Sequence, residues 1–404
     1  MRRLSFTFVL SSIGLVSLPA PAQVVVGVSA QNGANQGEVL HVDPGVPLWT
    51  AKAAVGMAAD DASGVLYLST IDPQAIADGY LWAWKYGSLG APVLAGKIVD
   101  SATSTVLRLE GLAWADGKLF CLQNNTAGPV EGIYEVDLST LTAKVVYAFP
   151  DTSLDCGGLG YDPATKHFYC TNDGDAYWAG RGILEVSVAN QTEVLIAPYP
   201  AGVTDVDGCA VDPAGRVFLI EDEPGKDLHT WDLSLAAYDP DPPPLPVSAV
   251  QTFSSGAWAP GLFGPIGTSY CSPANSNSTG LPGIASGRGL AVSGSRPVIL
   301  SATQLPPNEM GYFILSRVQG LVANPGGSQG NLCLGGTVGR LRKQVTSSGS
   351  AGRIDIEVDI MNVPRPGPDV PVLPGETWHF QAWFTDTNPG PTSNFTDGIS
   401  ITFQ

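Results

Sequence analysis

From Val24 to Phe403 the chain is built of short runs in which apolar and polar residues alternate, separated by Gly, Asp-Gly or Asp-Pro punctuation. A period of two between such turns predicts strands, and no comparable stretch carries the 3.6-residue period of an amphipathic helix. Four windows repeat one unit. Gly56-Met57-Ala58-Ala59-Asp60 leads to Tyr67-Leu68, Gly111-Leu112-Ala113-Trp114 to Phe120-Cys121, Gly158-Leu159-Gly160-Tyr161 to Tyr169-Cys170, and Gly208-Cys209-Ala210-Val211 to Phe218-Leu219. The closing positions lie 53, 49 and 49 residues apart, and a fixed period of this size marks a repeat architecture. In each window a first strand, a turn such as Ala115-Asp116-Gly117 or Asp212-Pro213-Ala214-Gly215, and an aromatic-rich second strand follow one another. Third strands are predicted at Tyr80–Trp84, Gly132–Val136, Gly182–Val186 and Leu228–Trp231, and fourth strands at Val93-Leu94, Lys144–Tyr147, Val194–Ile196 and Ala249–Gln251. Four short antiparallel strands per unit make a propeller blade.

The N-terminal stretch offers Val24–Val28, Gly37–Val42 and Leu48-Trp49, a blade without its innermost strand. Gly256-Ala257-Trp258-Ala259 echoes Gly111-Leu112-Ala113-Trp114 and can supply that strand, which closes the ring and hides two sheet edges. The fold class expected is all-β: a propeller over residues 24–262, with five blades, or six if residues 239–263 hold more than a linker. After Pro240–Pro246 the unit disappears, but alternation continues at Pro297–Leu300, Gly311–Leu315, Arg353–Val358, Trp378–Trp383 and Ile399–Phe403. Strands at that spacing without helices predict a β-sandwich over residues 267–404.

Charge and leader narrow the setting. Met1-Arg2-Arg3, an apolar run to Leu18 and Ala20-Pro21-Ala22 form a secretory signal over residues 1–22, to be cleaved after Ala22. The apolar run is too short for a membrane anchor, and no later run is long enough to span a bilayer. The expected location is therefore secreted, extracellular or at the cell surface. The chain carries 37 acidic against 20 basic residues, a net charge of −17, which disfavours nucleic acid and anionic lipid as partners. Six cysteines in an exported chain permit disulfides. Cys271 and Cys333 stand alone in the C-terminal region and are expected to bridge. Cys121 and Cys170 read as core residues, and Cys156 and Cys209 are left unassigned.

The repeats are similar to NHL-type propellers and, more loosely, to the gluconolactonase and regucalcin group. Glu110-Gly111-Leu112-Ala113-Trp114 and Asp207-Gly208-Cys209-Ala210-Val211-Asp212 resemble the acid-Gly motifs that supply metal ligands there. The resemblance implies a divalent, oxygen-liganded ion such as calcium at the channel mouth, held by Glu110 and Asp207, with the equivalent pair Asp155 and Asp205 as further contributors. Such an ion could polarise an ester or lactone and activate water. The chain departs from the group at Gly157, where it has Asn, and at Val55. A second resemblance covers the last third: Gly267–Ala274, Asn277–Gly280, Leu305–Asn308, Asn331–Gly336 and Pro374–Trp383 are similar to a C-terminal module that recurs in secreted bacterial proteins with varied N-terminal partners. Reuse on different partners implies attachment or surface retention.

Other chemistry is sparse. His41, His167, His229 and His379 are scattered, and H-E-x-x-H, G-x-S-x-G and phosphate-loop motifs are absent. Asp386 to Gly390 with Asn394 and Asp397 has calcium-ligand residue types but reads first as a turn. Trp82, Trp84, Tyr86, Trp178 and Trp231 serve blade cores or a stacking surface. The function that fits these observations is binding of a protein or carbohydrate ligand on the propeller face, and the alternative is a metal-dependent hydrolase of the lactonase kind.

Overall fold

A computed structural model describes residues 24–28, 38–41, 47–50, 54–72, 75–86, 88, 91–124, 128–222, 227–242, 253–293 and 298–404. The expected leader at residues 1–22 and the expected strand at Ala249–Gln251 lie outside them. The described residues are all-β, with only short 3-10 turns such as Pro260–Phe263 and Arg342–Gln344 as helical pieces.

Each repeat folds as an antiparallel sheet in which consecutive strands are neighbours. Gly56–Asp60, Val65–Asp72, Ala75–Lys85 and Val93–Lys97 make one; Cys156–Asp162, His167–Asn172, Gly182–Ser187 and Thr192–Pro198 another. The sheet led by Leu109–Ala115 gains a strand that the sequence pattern does not announce, Val99–Asp100, which runs parallel to Thr142–Ala148. In the sheet led by Val206–Val211, the strand beside Leu228–Asp232 is Ala237–Tyr238. The N-terminal strand Val24–Val28 pairs with Phe253–Trp258, Val24 opposite Trp258, so the two ends of this region share one sheet with Glu38–His41 and Pro47–Thr50. Trp258 stacks on Phe218 of the neighbouring sheet at 5.8 Å.

The first strands pack in a closed cycle among the described residues. Gly56–Asp60 meets Leu109–Ala115, which meets Cys156–Asp162, then Val206–Val211, then Phe253–Trp258, which returns to Gly56–Asp60. The leading glycine of the repeat is what permits this approach. A Cβ on Gly111 would lie 2.6 Å from Leu159 N, and one on Gly158 would lie 2.6 Å from Cys209 N. Farther out, larger side chains fill the wedges between sheets: Phe120 packs on Phe168 with ring centres 4.9 Å apart, and Leu122, Ile133, Leu159 and Leu184 are fully or nearly fully buried in that wedge. Cys121, Cys156, Cys170 and Cys209 are all buried free thiols, Cys156 and Cys170 in that wedge and the other two in neighbouring ones, so the two left unassigned by sequence join the other two as small core residues.

The C-terminal region has two sheets around one core. Pro265–Ile266, Ile284–Gly289, Val298–Thr303 and Ile354–Glu357 form the first; Thr268–Tyr270, Pro391–Thr402, Thr377–Thr387, Met310–Ser316 and Gly339–Arg340 form the second. Leu300 and Ile356 of one meet Phe313, Phe380, Ile399 and Ile401 of the other. A hairpin absent from the sequence reading, Val318–Ala323 with Asn331–Gly335, stands beside them. Gln381 ties it down from full burial, accepting the Cys333 N–H at 2.9 Å and donating to Asn331 O. A disulfide joins Cys333 to Cys271, with Cα atoms 6.3 Å apart. Asp386 accepts the Ser278 N–H, and Asp397 accepts the Ala285 N–H and the Ser269 hydroxyl. The carboxylates with calcium-type spacing are thus engaged as braces for neighbouring backbone.

Gly158→Ala should lower the unfolding free energy by about 2 kcal/mol or more, because its methyl must displace backbone of the next sheet. Gly264→Ala, whose Cβ would meet nothing within 4 Å, should be near neutral. Denaturant melts of both variants check the contrast.

Candidate functional site

The cycle of first strands encloses a narrow waist. The space lined by Gly56, Gly111, Gly158, Asp207, Gly208 and Gly256 is too small for a water molecule, so the two ends of the ring are separate sites. One lies where the first strands begin, the other where they turn back into the second strands.

The starting end is acidic. Asp205 and Asp207 flank Val206, the first residue of its strand, and Asp173 follows the preceding sheet's second strand, His167–Asn172. One carboxylate oxygen from each of Asp173, Asp205 and Asp207 lies within 4.8 Å of the others. Local chemistry sets this up. Buried Asn172 accepts the N–H groups of Asp155 and Gly174 and donates to Gly180 O, which fixes the loop after its strand. The Asp173 N–H bonds Asp155 O, and both Asp173 carboxylate oxygens accept the Val206 N–H at 3.2 Å, across to the next sheet. Asn124 occupies the matching place one sheet earlier and donates to Asp155 at 2.8 Å.

Of the four acids singled out from sequence, Asp205 and Asp207 come together. Glu110 sits outside the gathered three and pairs with Arg108. Asp155 is also outside it, held by Asn124. Asp173 was missed, since it belongs to the end of a second strand and not to the acid-Gly motif. Gly157 has a packing role: a Cβ there would fall 2.8 Å from Asp207 Oδ1 and 3.0 Å from Asp207 Cα. A side chain at 157 would force Asp207 to shift from its observed seat.

Burial dominates the electrostatics. It raises Glu110 to about 7, with Arg108 opposing and Asp155 reinforcing the rise. Asp173 is raised to about 7, again by burial first, with the Val206 N–H opposing and Asp205 reinforcing. Asp207 is raised by burial and then by Asp222, Asp205, Asp173 and Glu110. Clustered carboxylates in a partly dehydrated site resist ionising together.

The turning end is apolar and aromatic. A pocket of about 290 Å³ is lined by Trp114, Tyr161 and Trp258, with Asp60, Asp61 and Asp116 among its wall residues. Trp114 is braced by a parallel stack on Tyr67, 5.5 Å between ring centres. Tyr161 is fixed by its hydroxyl donating to Asp116 at 2.9 Å, and Lys166 also donates to Asp116. Asp61 accepts from the Tyr86 hydroxyl at 2.8 Å and from the Gly261 N–H. The Trp258 indole N–H is shielded from solvent and has no hydrogen-bond partner. From the aromatics singled out by sequence, Trp84 is buried in the core, while Trp178 is 82 % exposed and away from this pocket.

Among the described side chains the histidines do not assemble a site. His167 bonds Glu185, His229 bonds Glu221, and His379 bonds Ser400 with its pKa lowered by burial; the His41 side chain is outside the described ones. Among the described residues no helix is long and apolar enough to cross a membrane.

No protein-family model matches the chain, and no curated protein does. Solved structures that it resembles include propeller-like proteins. A protein of unknown function from Bacteroides thetaiotaomicron aligns at 11 % identity and TM-score 0.38, over 60 % of this chain and 66 % of that one. TolB from Acinetobacter baumannii aligns at 13 % and 0.36, over 70 % of this chain and 62 % of that one. A putative 6-phosphogluconolactonase from Bacteroides fragilis aligns at 9 % and 0.31, over 86 % and 96 %. The chain thus spans about two thirds of the length of the first two.

The raised carboxyls make a signed prediction. A group whose folded pKa lies above its unfolded value contributes stability at low pH and loses it as pH rises through the folded value. For Glu110 and Asp173 that window runs from their ordinary values near 4 to about 7. Without added divalent ions the protein should melt at a higher temperature at pH 5 than at pH 8, by about 2–4 °C for each kcal/mol involved. Asp207→Asn should raise the pH 8 melting temperature and flatten the profile.

Proposed function

We propose that the ring is a five-bladed β-propeller over residues 24–262, that residues 267–404 form a β-sandwich module, and that the chain is a secreted or cell-surface binding protein. The ligand docks in the aromatic mouth, and the sandwich serves attachment. The observation that carries this reading is the 290 Å³ pocket with Trp114, Tyr161 and Trp258 in its wall and carboxylates close by. Flat aromatic faces stack on the apolar face of a sugar ring, while carboxylates accept its hydroxyls. A carbohydrate is therefore the favoured ligand over a protein surface. Trp114→Ala should weaken binding to glycans identified on an array by about tenfold or more, the usual scale for losing a stacked aromatic. An array with no bound glycan, or titrations in which Trp114→Ala binds like wild type, would count against it.

A second reading is favoured by the convergence of Asp173, Asp205 and Asp207 within 4.8 Å. Three hard oxygen donors at that separation fit a calcium-like ion, which takes carboxylates at about 2.3–2.6 Å. In that case the ion would supply Lewis acidity towards an ester or lactone. Asp207 would hold it from the mouth of the waist, Asp173 would position the neighbouring strand through Val206, and Glu110 would stand nearby, paired with Arg108. Calcium should then raise the melting temperature of the wild type and leave Asp173→Asn/Asp207→Asn unmoved. No calcium or magnesium shift in the wild type removes this reading, and lactone hydrolysis is worth assaying only after a positive one.

A further inference from the structure

The C-terminal region contains a basic pocket in an otherwise acidic chain. A cavity of about 360 Å³ is walled by Gly339, Arg340, Arg342, Pro364, Arg365 and Pro366. Three of the chain's 20 basic residues converge there, and no acidic side chain lines it. Among the described residues neither Arg340, Arg342 nor Arg365 is in an ion pair, whereas Arg108, Arg181, Arg216, Arg317 and Arg353 each have a carboxylate partner.

The walls are built, not draped. Gly339 lets the 363–370 segment press on the strand, since a Cβ there would meet Pro364 O. That segment is a hairpin closed by reciprocal bonds between Val363 and Val370, at 2.8 and 3.1 Å, and its turn contains Pro364, Pro366 and Pro368. Proline fixes the backbone of such a loop before any ligand arrives. Arg365 Nε donates to Pro368 O at 3.2 Å, which anchors the guanidinium and leaves its terminal nitrogens to an incoming group. Arg340 is held in register opposite Ile314. The 3-10 turn that carries Arg342 is pinned by Leu341 N to Phe313 O at 2.9 Å and by the Gln344 amide donating to Glu357 O. Three guanidinium groups are thus presented from a fixed frame with no internal counter-charge.

We propose that this pocket binds a compact oxyanion carried on a small sugar-like body: a sugar acid or a sugar phosphate ester. Guanidinium forks match carboxylate and phosphate oxygens in pairs, and the proline walls offer apolar surface to a ring. A long polyanion is disfavoured because the chain as a whole, with 37 acids against 20 bases, would repel whatever extends beyond the pocket. The pocket is separate from the aromatic mouth and does not depend on the reading of that site.

Calorimetric titration of the full chain with glucuronate, glucose 6-phosphate and neutral glucose tests this. At least one charged sugar should bind, glucose should not, and which charged sugar binds tells carboxylate from phosphate. Arg340→Gln and Arg342→Gln should each weaken binding by about tenfold, as expected for a lost charge-assisted contact, with partial recovery in Arg340→Lys. Melting temperatures should be unchanged, because both side chains are exposed and unpaired, and Lys118→Gln, an equal charge change on the ring, should have no effect. Added sodium chloride should weaken the wild-type affinity. Binding of neither charged sugar, or undiminished binding in Arg340→Gln/Arg342→Gln/Arg365→Gln, overturns the proposal.

Discussion

The distance between neighbouring first strands governs the ring. They approach so closely that one position on each strand carries no side chain, and Gly56, Gly111, Gly158, Gly208 and Gly256 take these places around the waist. Gly56, Gly111, Gly158 and Gly208 each sit against the next sheet, Gly256 lies against Ile220 of the preceding one, and Phe253–Trp258 packs back onto Gly56–Asp60 to close the cycle. Closure then needs the N-terminal strand, since Val24–Val28 completes the sheet to which Phe253–Trp258 belongs. A ring fastened this way couples residues 200 and 201 positions apart: the hydroxyls of Ser254 and Ser255 both donate to Ala54 O.

The same geometry produces the acidic mouth. A closed waist brings strand starts from adjacent sheets within reach of one another, and polar residues gather there because strand ends leave backbone groups to satisfy. Asp173 shows the dual use. Its carboxylate accepts the Val206 N–H of the next sheet while standing within 4.8 Å of Asp205 and Asp207. The carboxylates therefore help to hold sheets together, while burial first and their neighbours' charges second raise the pKa values of Asp173 and Asp207. Removing charge should stabilise this mouth, and a bound cation would do so without changing a residue.

The opposite mouth and the C-terminal pocket follow other rules. Around the aromatic pocket, Trp114 and Tyr161 are each fixed by a partner from an adjacent repeat, Tyr67 for the first and Asp116 for the second. Preorganised aromatic surface of this kind loses little freedom when a ligand stacks on it. In the C-terminal region the frame is proline and backbone pairing, and the three arginines owe their availability to the lack of nearby carboxylates. The two pockets differ in chemistry, one walled by aromatic side chains and the other by arginines and prolines.

Period and alternation were enough to establish an all-β chain with a repeated four-strand unit, because every repeat carries its own turn residues and its own leading glycine. The pairing of Val24–Val28 with the segment at Trp258 was legible for the same reason: a unit lacking its first strand stood at one end, and a spare copy of that strand at the other. The disulfide between Cys271 and Cys333 could be read because only two cysteines occur in that region. Sequence did not reveal Val99–Asp100, whose partner strand begins at Thr142, or the hairpin of Val318–Ala323 with Asn331–Gly335. Nor could it show that Glu110 would turn to Arg108 while Asp173 replaced it beside Asp207. Motifs order residues along one strand, whereas a site at the mouth of a ring is assembled from the ends of several strands. Which carboxylates meet, and which arginines are left without one, is decided by how the sheets pack.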